Sequence, residues 1–515
     1  MNPATPSVGD SWGYGLLAVA ILSALLLVLP GQATSPLGID EHVSYWIAGG
    51  DNPGTLLERS LNYAATPPVS SLVQRAFMAV GGKSELWIRL PSVIGFLIAI
   101  TFTFLFARDL LGTLPAGLAV QLLVWHPDVL DRMRQARPYG ISLGFAAALL
   151  WLTGHWARKP DCRRQMLLWT TTAIGLIWTH YLNLPLVGLC VLWLCGFHWL
   201  KSEGQQSPRW LLWVAVVMVT VFTFPLIPSL LRLQEWSAAL NFRGAPPPLW
   251  KGLGPYWWFA LPVGAGVAWL LSRILPGPPI AVPLRRHGIL LVLLGCLPIV
   301  VFAAFPGGSL ATLAEPRYRL VYAPASVVLL AGCLVNQRNL AAGLLAGAIG
   351  IGGAWWSLGE YPWRSVELSV PAAADWTKLT RQVQQTGHPG EPLFVYSGLV
   401  ESRLVPALFE DKVFMDYVAC RAGRFIIETP HPRYALPWNW VRHEPLIAFY
   451  DAALEETGQG SDALTATVWL IASVDTDLGR DTIHRFAELA SKHRYREAER
   501  TMTDNAVLVR FERTP

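Results

Sequence analysis

The chain has 515 residues, of which 53% are hydrophobic and only 15% charged, and its mean hydropathy is +0.37. A soluble domain carries about a quarter charged residues, so this chain cannot cover its surface with charge, and lipid must cover much of it. The net charge of +5 is modest and reads as membrane topology, which excludes a nucleic-acid-binding surface.

The apolar run at about 12–30 has no basic segment before it and no small-residue cleavage site after it. It therefore reads as the first span and a signal anchor, not a removable leader. Residues 31–86 follow as a loop too long for a mere connector. Its periodicity predicts two short helices in the interface plane. One covers Asp40–Ala48, with Val43, Trp46 and Ile47 on one side. The other covers Val69–Val80, with Leu72, Val73, Ala76, Phe77 and Val80 on one side and Gln74 and Arg75 on the other.

Further apolar windows fall at 88–107, 113–127, 137–155, 166–182, 183–200, 209–231, 256–275, 287–305, 317–335 and 338–357. With the first they make about eleven spans. The 24 Trp residues suit membrane interfaces. If the N-terminus is cytoplasmic, the inner loops hold Arg108, Arg158, Lys159, Arg163, Arg164, Lys201, Arg209, Arg273, Arg285, Arg286 and Arg338. The acidic residues there are Asp109, Asp161 and Glu203, so each inner loop is basic or neutral, as the positive-inside rule requires. An odd number of spans then places the tail outside. The domains are thus 1–357, in the membrane, and 371–515, an extracytoplasmic α/β domain of a multi-pass inner (plasma) membrane protein. In the tail, 392–397, 467–473 and 506–511 read as strands, 399–409 and 481–493 as helices, and 429–445 as an irregular loop.

The six Cys are scattered: Cys190, Cys195, Cys296 and Cys333 in apolar runs, Cys162 in a basic loop, and Cys420 alone in the tail. No C-x-x-C spacing occurs, and no metal site or cofactor is expected.

Candidate chemistry collects at loops on the outer side. Asp40-Glu41 has two readings. It is either an acidic pair suited to a helix first turn, or a carboxylate near the bilayer surface serving as general base. Glu85 and Arg89 are i,i+4 neighbours, expected as a surface pair of small worth. Arg132, Arg134 and Arg137 lie before Tyr139 on the side where positive charge is disfavoured. They call for an anionic partner, as Arg grips phosphate in a fixed fork. The same holds for Glu315-Pro316-Arg317-Tyr318-Arg319. His180 closes the fifth span.

In order, the pieces IDEHVSYW, ATPPVSSLVQ, GGKSELWIRLPSVIG, RQARPYGISL, THYLNL and EPRYRLVYAPA resemble the GT-C superfamily of polyprenyl-phosphate-sugar-dependent glycosyltransferases. Within it, the chain resembles the branch of the bacterial relatives of the protein O-mannosyltransferases and the lipid A aminoarabinose transferase. The resemblance implies a helical membrane core, a polyprenyl-phosphate sugar donor, a glycan, lipid or protein acceptor, and inversion without a metal. It implies Asp40 as general base and Glu41 orienting acceptor or sugar. Arg137, Arg317 and Arg134 would hold the donor phosphate. His42, Tyr45, Glu85, Arg89, Tyr139, His180 and Tyr318 would line the substrates. Two positions depart from the family: Thr66 stands where relatives carry a basic residue, and Gln135 where they carry Glu. A lipid-linked-sugar transporter or flippase, or an inactive membrane scaffold, are the alternatives. A transporter should show mid-span charges or internally related halves, and neither is evident.

Overall fold

The computed structural model describes residues 8–33, 35, 37–199, 210–240, 316–335, 371–401, 411–419, 431–459, 467–474, 477–503 and 506–514. The expected spans at 256–275, 287–305 and 338–357 lie outside these residues.

The first span is helix α1 (Val8–Val28). The long loop holds α2 (Ile39–Ala48), α3 (Pro53–Glu58) running into a π turn (Arg59–Tyr63), and α4 (Val69–Gly81). Helices α5 (Glu85–Leu111), α6 (Thr113–Val124), α7 (Pro127–Met133), α8 (Tyr139–Arg158), α9 (Arg163–Thr179) and α10 (Leu184–Trp199) follow. Next come α11 (Trp210–Thr223) and α12 (Ile227–Leu240), then a short helix, α13 (Pro316–Arg319), which leads through a 3-10 turn into α14 (Ala323–Val335). Among the described residues four helical stretches are long and apolar enough to cross a membrane: Ser11–Val28, Glu85–Leu111, Tyr139–Arg158 and Trp210–Leu233. Helix α6 has 12 residues, about 18 Å of rise, too short to span the roughly 30 Å hydrocarbon layer.

Small residues bring α5 and α8 into close contact. A Cβ on Gly95 would sit 2.4 Å from the Gly140 carbonyl oxygen, and one on Gly140 would sit 2.2 Å from that of Ser92. Only glycine permits this crossing, which is the small-residue packing of membrane helices. It brings the segment after Glu85 against the segment after Arg137. The chain breaks between the expected spans at 166–182 and 183–200. His180 is extended, and the Asn183 amide donates to the Leu176 carbonyl (2.9 Å), capping the end of α9.

The loop helices fall where periodicity predicts them, and α4 turns its polar side to the protein. Gln74 is buried and donates to the Ala136 carbonyl (3.0 Å), while Leu72 and Val80 are exposed. Arg75 likewise turns inward, to the carbonyls of Ala48, Gly50 and Asp51. The polar face meets protein and the apolar one faces outward, which is the orientation a bilayer surface favours.

Residues 371–514 contain α15 (Pro371–Thr386), β1 (Leu393–Glu401), α16 (Lys412–Ala419), β2 (Arg433–Trp438), α17 (Glu444–Gln459), β3 (Thr467–Ser473), α18 (Asp477–Lys492), β4 (Tyr495–Met502) and β5 (Ala506–Arg513). They build one mixed sheet of order β2-β1-β3-β5-β4, parallel from β2 to β3 and antiparallel beyond. The three strands expected are the central ones. The two missed, β2 and β4, are the edges. β2 carries Pro437 inside the expected irregular loop, which an edge strand tolerates. β4 presents Arg496, Glu497, Glu499 and Arg500, charge that guards an edge. The helix expected at 399–409 is corrected at its start: 399–401 continue β1, and the rest lies outside the described residues.

The sheet domain shares a core with the first loop. Val43, Trp46, Ile47, Leu56 and Ala64 join the cluster of Leu393, Phe414 and Tyr417. The Trp46 ring lies 5.3 Å from that of Tyr417, Arg59 sits 4.7 Å above Trp46, and Tyr63 donates to Asp411 (2.9 Å).

Two outcomes follow for the folded protein. Gly95→Val inserts a side chain where a carbonyl lies, and is expected to collapse the yield of monodisperse protein on size-exclusion chromatography in detergent. Trp46→Ala empties a fully buried site worth about 3–5 kcal/mol and should lower the melting temperature sharply. Tyr63→Phe, which removes one hydrogen bond of about 1 kcal/mol, should lower it far less.

Candidate active site

Helix α2 begins at Gly38 as N-cap and puts Asp40 and Glu41 in its first turn. Successive positions on a helix point about 100° apart, so the two carboxylates diverge. Glu41 is buried, and both its oxygens are spent inside the protein. Oε1 accepts from Arg89 Nε (2.7 Å) and the Ala136 amide (2.7 Å); Oε2 accepts from Arg89 Nη2 (2.8 Å) and the Gly38 amide (2.8 Å). A carboxylate has about four lone-pair sites, and all four are used. Burial pushes the Glu41 carboxyl up, but Arg89 and the two amides outweigh it and hold it below its ordinary value.

Arg89 is correspondingly not a surface residue. It is 3% exposed, and its Nη1 also donates to the carbonyls of Gln32 (3.0 Å) and Ser35 (2.6 Å). The expected surface pair with Glu85 gives way to a buried, bidentate pair with Glu41. Glu41, expected to orient a substrate, instead holds its own helix.

Asp40 points the other way and is partly exposed. Its Oδ2 lies 3.3 Å from Arg317 Nη1. Arg137 Nη1 donates to the Asp40 backbone carbonyl (3.0 Å) and reaches Ser44 Oγ (3.4 Å). The Nε of Arg137 is buried without a hydrogen-bond partner. Three segments distant in sequence thus place one carboxylate and two guanidinium groups together.

Beside them lies a pocket lined by Tyr139, Ser142, His180, Asn183, Arg317 and Tyr318, with Leu182, Leu320 and Val321. His180 stacks near Tyr139 (centroids 6.5 Å) and Tyr318 (5.4 Å). Arg317 sits 4.9 Å above the Tyr318 ring.

Other expected residues lie elsewhere. Arg134 donates twice to the Leu27 carbonyl (3.1 and 2.7 Å), capping the end of α1. Tyr45 packs with Leu37, Ala48, Met78, Ile88 and Ala136, and His42 is buried on the same helix. Glu85 opens α5 in its first turn. Thr66 exchanges hydrogen bonds with Ser60, and Gln135 accepts from Arg132 (3.2 Å). Ser142 and Asn183 were missed. The one sequence signal for Asn183 is a polar residue inside an apolar run, which reads equally as a helix cap.

A family model described as dolichyl-phosphate-mannose-protein mannosyltransferase matches residues 65–227. The solved structure of ArnT from Cupriavidus metallidurans bound to undecaprenyl phosphate is similar at TM-score 0.57 and 14% identity, covering 97% of this chain and 98% of that one. Its apo state gives 0.56 and 16%, covering 98% of each. This chain has a GT-C-like fold. The apo oligosaccharyltransferase of Archaeoglobus fulgidus is also similar, at 0.53 and 12%, covering 90% of this chain and 70% of that one. No curated protein matches. In this GT-C-like chain the matched segment contains Arg89, Arg137, Tyr139 and His180, while Asp40, Glu41 and Arg317 lie outside it.

Because the Glu41 pKa is depressed on folding, its stabilisation is full above the ordinary value near 4.5 and fades as pH falls through the lower folded value. Glu41→Gln leaves the buried Arg89 without its counter-charge, a loss of about 3–5 kcal/mol. The variant should melt well below wild type at pH 7, and the gap should narrow in melting curves taken progressively below pH 4.5.

Proposed function

We propose that the protein is a membrane glycosyltransferase that moves a sugar from a polyprenyl-phosphate donor to an acceptor hydroxyl, with inversion. The single observation that carries this is the meeting of the Asp40 carboxylate with Arg317 at 3.3 Å, while Arg137 is anchored on the same residue's carbonyl. A base and two phosphate-binding groups within a few ångströms match the demands of the reaction.

Asp40 accepts the proton of the acceptor O–H. The oxygen attacks the anomeric carbon from the face opposite the phosphate. The bond from that carbon to the phosphate oxygen breaks, and its electron pair leaves with the polyprenyl phosphate. The phosphate gains negative charge in this step, and the guanidinium groups of Arg137 and Arg317 stabilise it. The buried Arg137 Nε is a donor without a hydrogen-bond partner, which a phosphate oxygen would satisfy. Glu41 and Arg89 act as positioning residues, fixing the first turn that aims Asp40.

The charge bias of the loops supports a multi-pass plasma (inner) membrane protein with Asp40 and the sheet domain on the extracytoplasmic side. The similarity to ArnT bound to undecaprenyl phosphate supports a lipid-phosphate donor. The acceptor is a hydroxyl on a glycan, lipid or protein.

Asp40→Asn is expected to cut transfer from a radiolabelled polyprenyl-phosphate hexose to an envelope extract in proteoliposomes by about 100-fold or more, the range for a lost general base. Binding of bare polyprenyl phosphate should change less than about twofold, as the arginines remain. Undiminished transfer by the variant, or lipid movement across the bilayer by wild type with no transfer, would sink the proposal.

A further inference from the structure

The end of the helix bundle opposite Asp40 carries a second charged cluster, which glycosyl transfer does not use. From Arg89 to Arg108 helix α5 rises about 28 Å, close to the roughly 30 Å hydrocarbon layer, so the two arginines mark its two surfaces. Helix α8 ends beside Arg108. Arg158 Nη2 donates to Asp109 Oδ2 (2.9 Å), and Trp151 Nε1 (3.3 Å) and His155 Nε2 (3.0 Å) reach the same oxygen. Arg108 Nη2 donates to the other oxygen (3.3 Å). This carboxylate is spent inside the protein.

Lys159, Arg163 and Arg164 follow, all exposed. With Arg108 and Arg158 they outnumber Asp109 and Asp161, the carboxylates beside them. Among the described residues neither Arg163 nor Arg164 forms an ion pair. Both open α9 in its first turn, where the helix macrodipole repels positive charge, so the helix gives no reason for them. We infer that this cluster seats the phosphate of an anionic phospholipid, gripped by Arg163 and Arg164, with its acyl chains along the outer faces of α9 and α11.

Apolar surface lies where such a lipid needs it. Helices α9 and α11 run side by side: Arg163 sits 5.9 Å over the Trp210 ring at one end, and Trp178 Nε1 donates to the Phe222 carbonyl (2.8 Å) at the other. Leu167 and Leu168 stand one turn after Arg163 and Arg164, on the same face. They are 49% and 47% exposed, and Trp210 and Trp213 are 52% and 61% exposed. Guanidinium groups followed one turn deeper by open apolar side chains repeat the order of headgroup and chain in a phospholipid. An acidic soluble protein would satisfy the arginines but leave the leucines and tryptophans uncovered. An arginine fork matches two phosphate oxygens, and basic residues at a membrane surface attract anionic headgroups. This site stands whether or not Asp40 catalyses transfer.

Native mass spectrometry of the full chain in detergent tests this, after delipidation and addition of phosphatidylglycerol or phosphatidylcholine with the same acyl chains. Phosphatidylglycerol is expected to be retained at least about fivefold more. Arg163→Gln with Arg164→Gln should remove most of that preference and leave phosphatidylcholine unchanged, and Arg163→Lys with Arg164→Lys should restore part of it. Exposed arginines contribute little to stability, so these variants should melt like wild type. As a control, Arg480→Gln with Arg485→Gln removes exposed charge from the sheet domain and should change nothing. No preference for phosphatidylglycerol, an equal loss in the control, or an unchanged preference in the Gln pair overturns the inference. Release of the bound phosphatidylglycerol by inorganic phosphate would show that the site takes free phosphate, and overturns it too. If the Gln pair does not fold, Arg163→Gln and Arg164→Gln singly decide by the same criterion.

Discussion

The buried pair of Glu41 and Arg89 is the constraint on which the site depends. Two ions taken out of water are costly unless every lone pair and proton is used, and here four bonds close the carboxylate while Arg89 also ties down Gln32 and Ser35. The result joins the end of the first span, the start of α2, the head of α5 and the Ala136 turn. Asp40 is the preceding residue in the same helical turn. Its direction is therefore inherited from a neighbour that cannot move without unpairing a buried charge.

Helix α2 also serves a second body. Its Val43, Trp46 and Ile47 enter the core of the sheet domain, while Tyr45 and Ala48 pack on Met78 and Ile88. One ten-residue helix thus touches the membrane bundle, the loop helices and the α/β sheet. The glycine crossing of α5 and α8 complements it, because it sets the distance between Arg89 on one helix and Arg137 just before the other. Charge and close packing together fix where the Arg137 and Arg317 guanidinium groups stand relative to Asp40.

Much of this was legible in the residues. Apolar length marked the four helices that are long enough to span among the described residues, though it also counted the short α6; period marked α2 and α4, and the central strands announced themselves as apolar runs. The edge strands did not, since Pro437 and the charges of β4 are signatures of protection as well as of loops. Arginines clustered in loops where charge bias disfavours them pointed to an anion, yet their residue type could not divide them. Arg137 and Arg317 meet at Asp40, whereas Arg134 caps α1 and Arg89 is locked to Glu41.

The sequence by itself determined that the chain carries membrane-spanning helices, where most of its loop and bundle helices fall, and which loops are acidic and which basic. These follow from local properties: hydropathy over twenty residues, helical period, and charge bias. Only the tertiary structure decided that Asp40 faces the arginines while Glu41 turns away, and that Ser142 and Asn183 border the same pocket as His180. Adjacent carboxylates are chemically alike until packing buries one and leaves the other partly exposed. That choice is made by partners more than forty residues away, which no local pattern encodes.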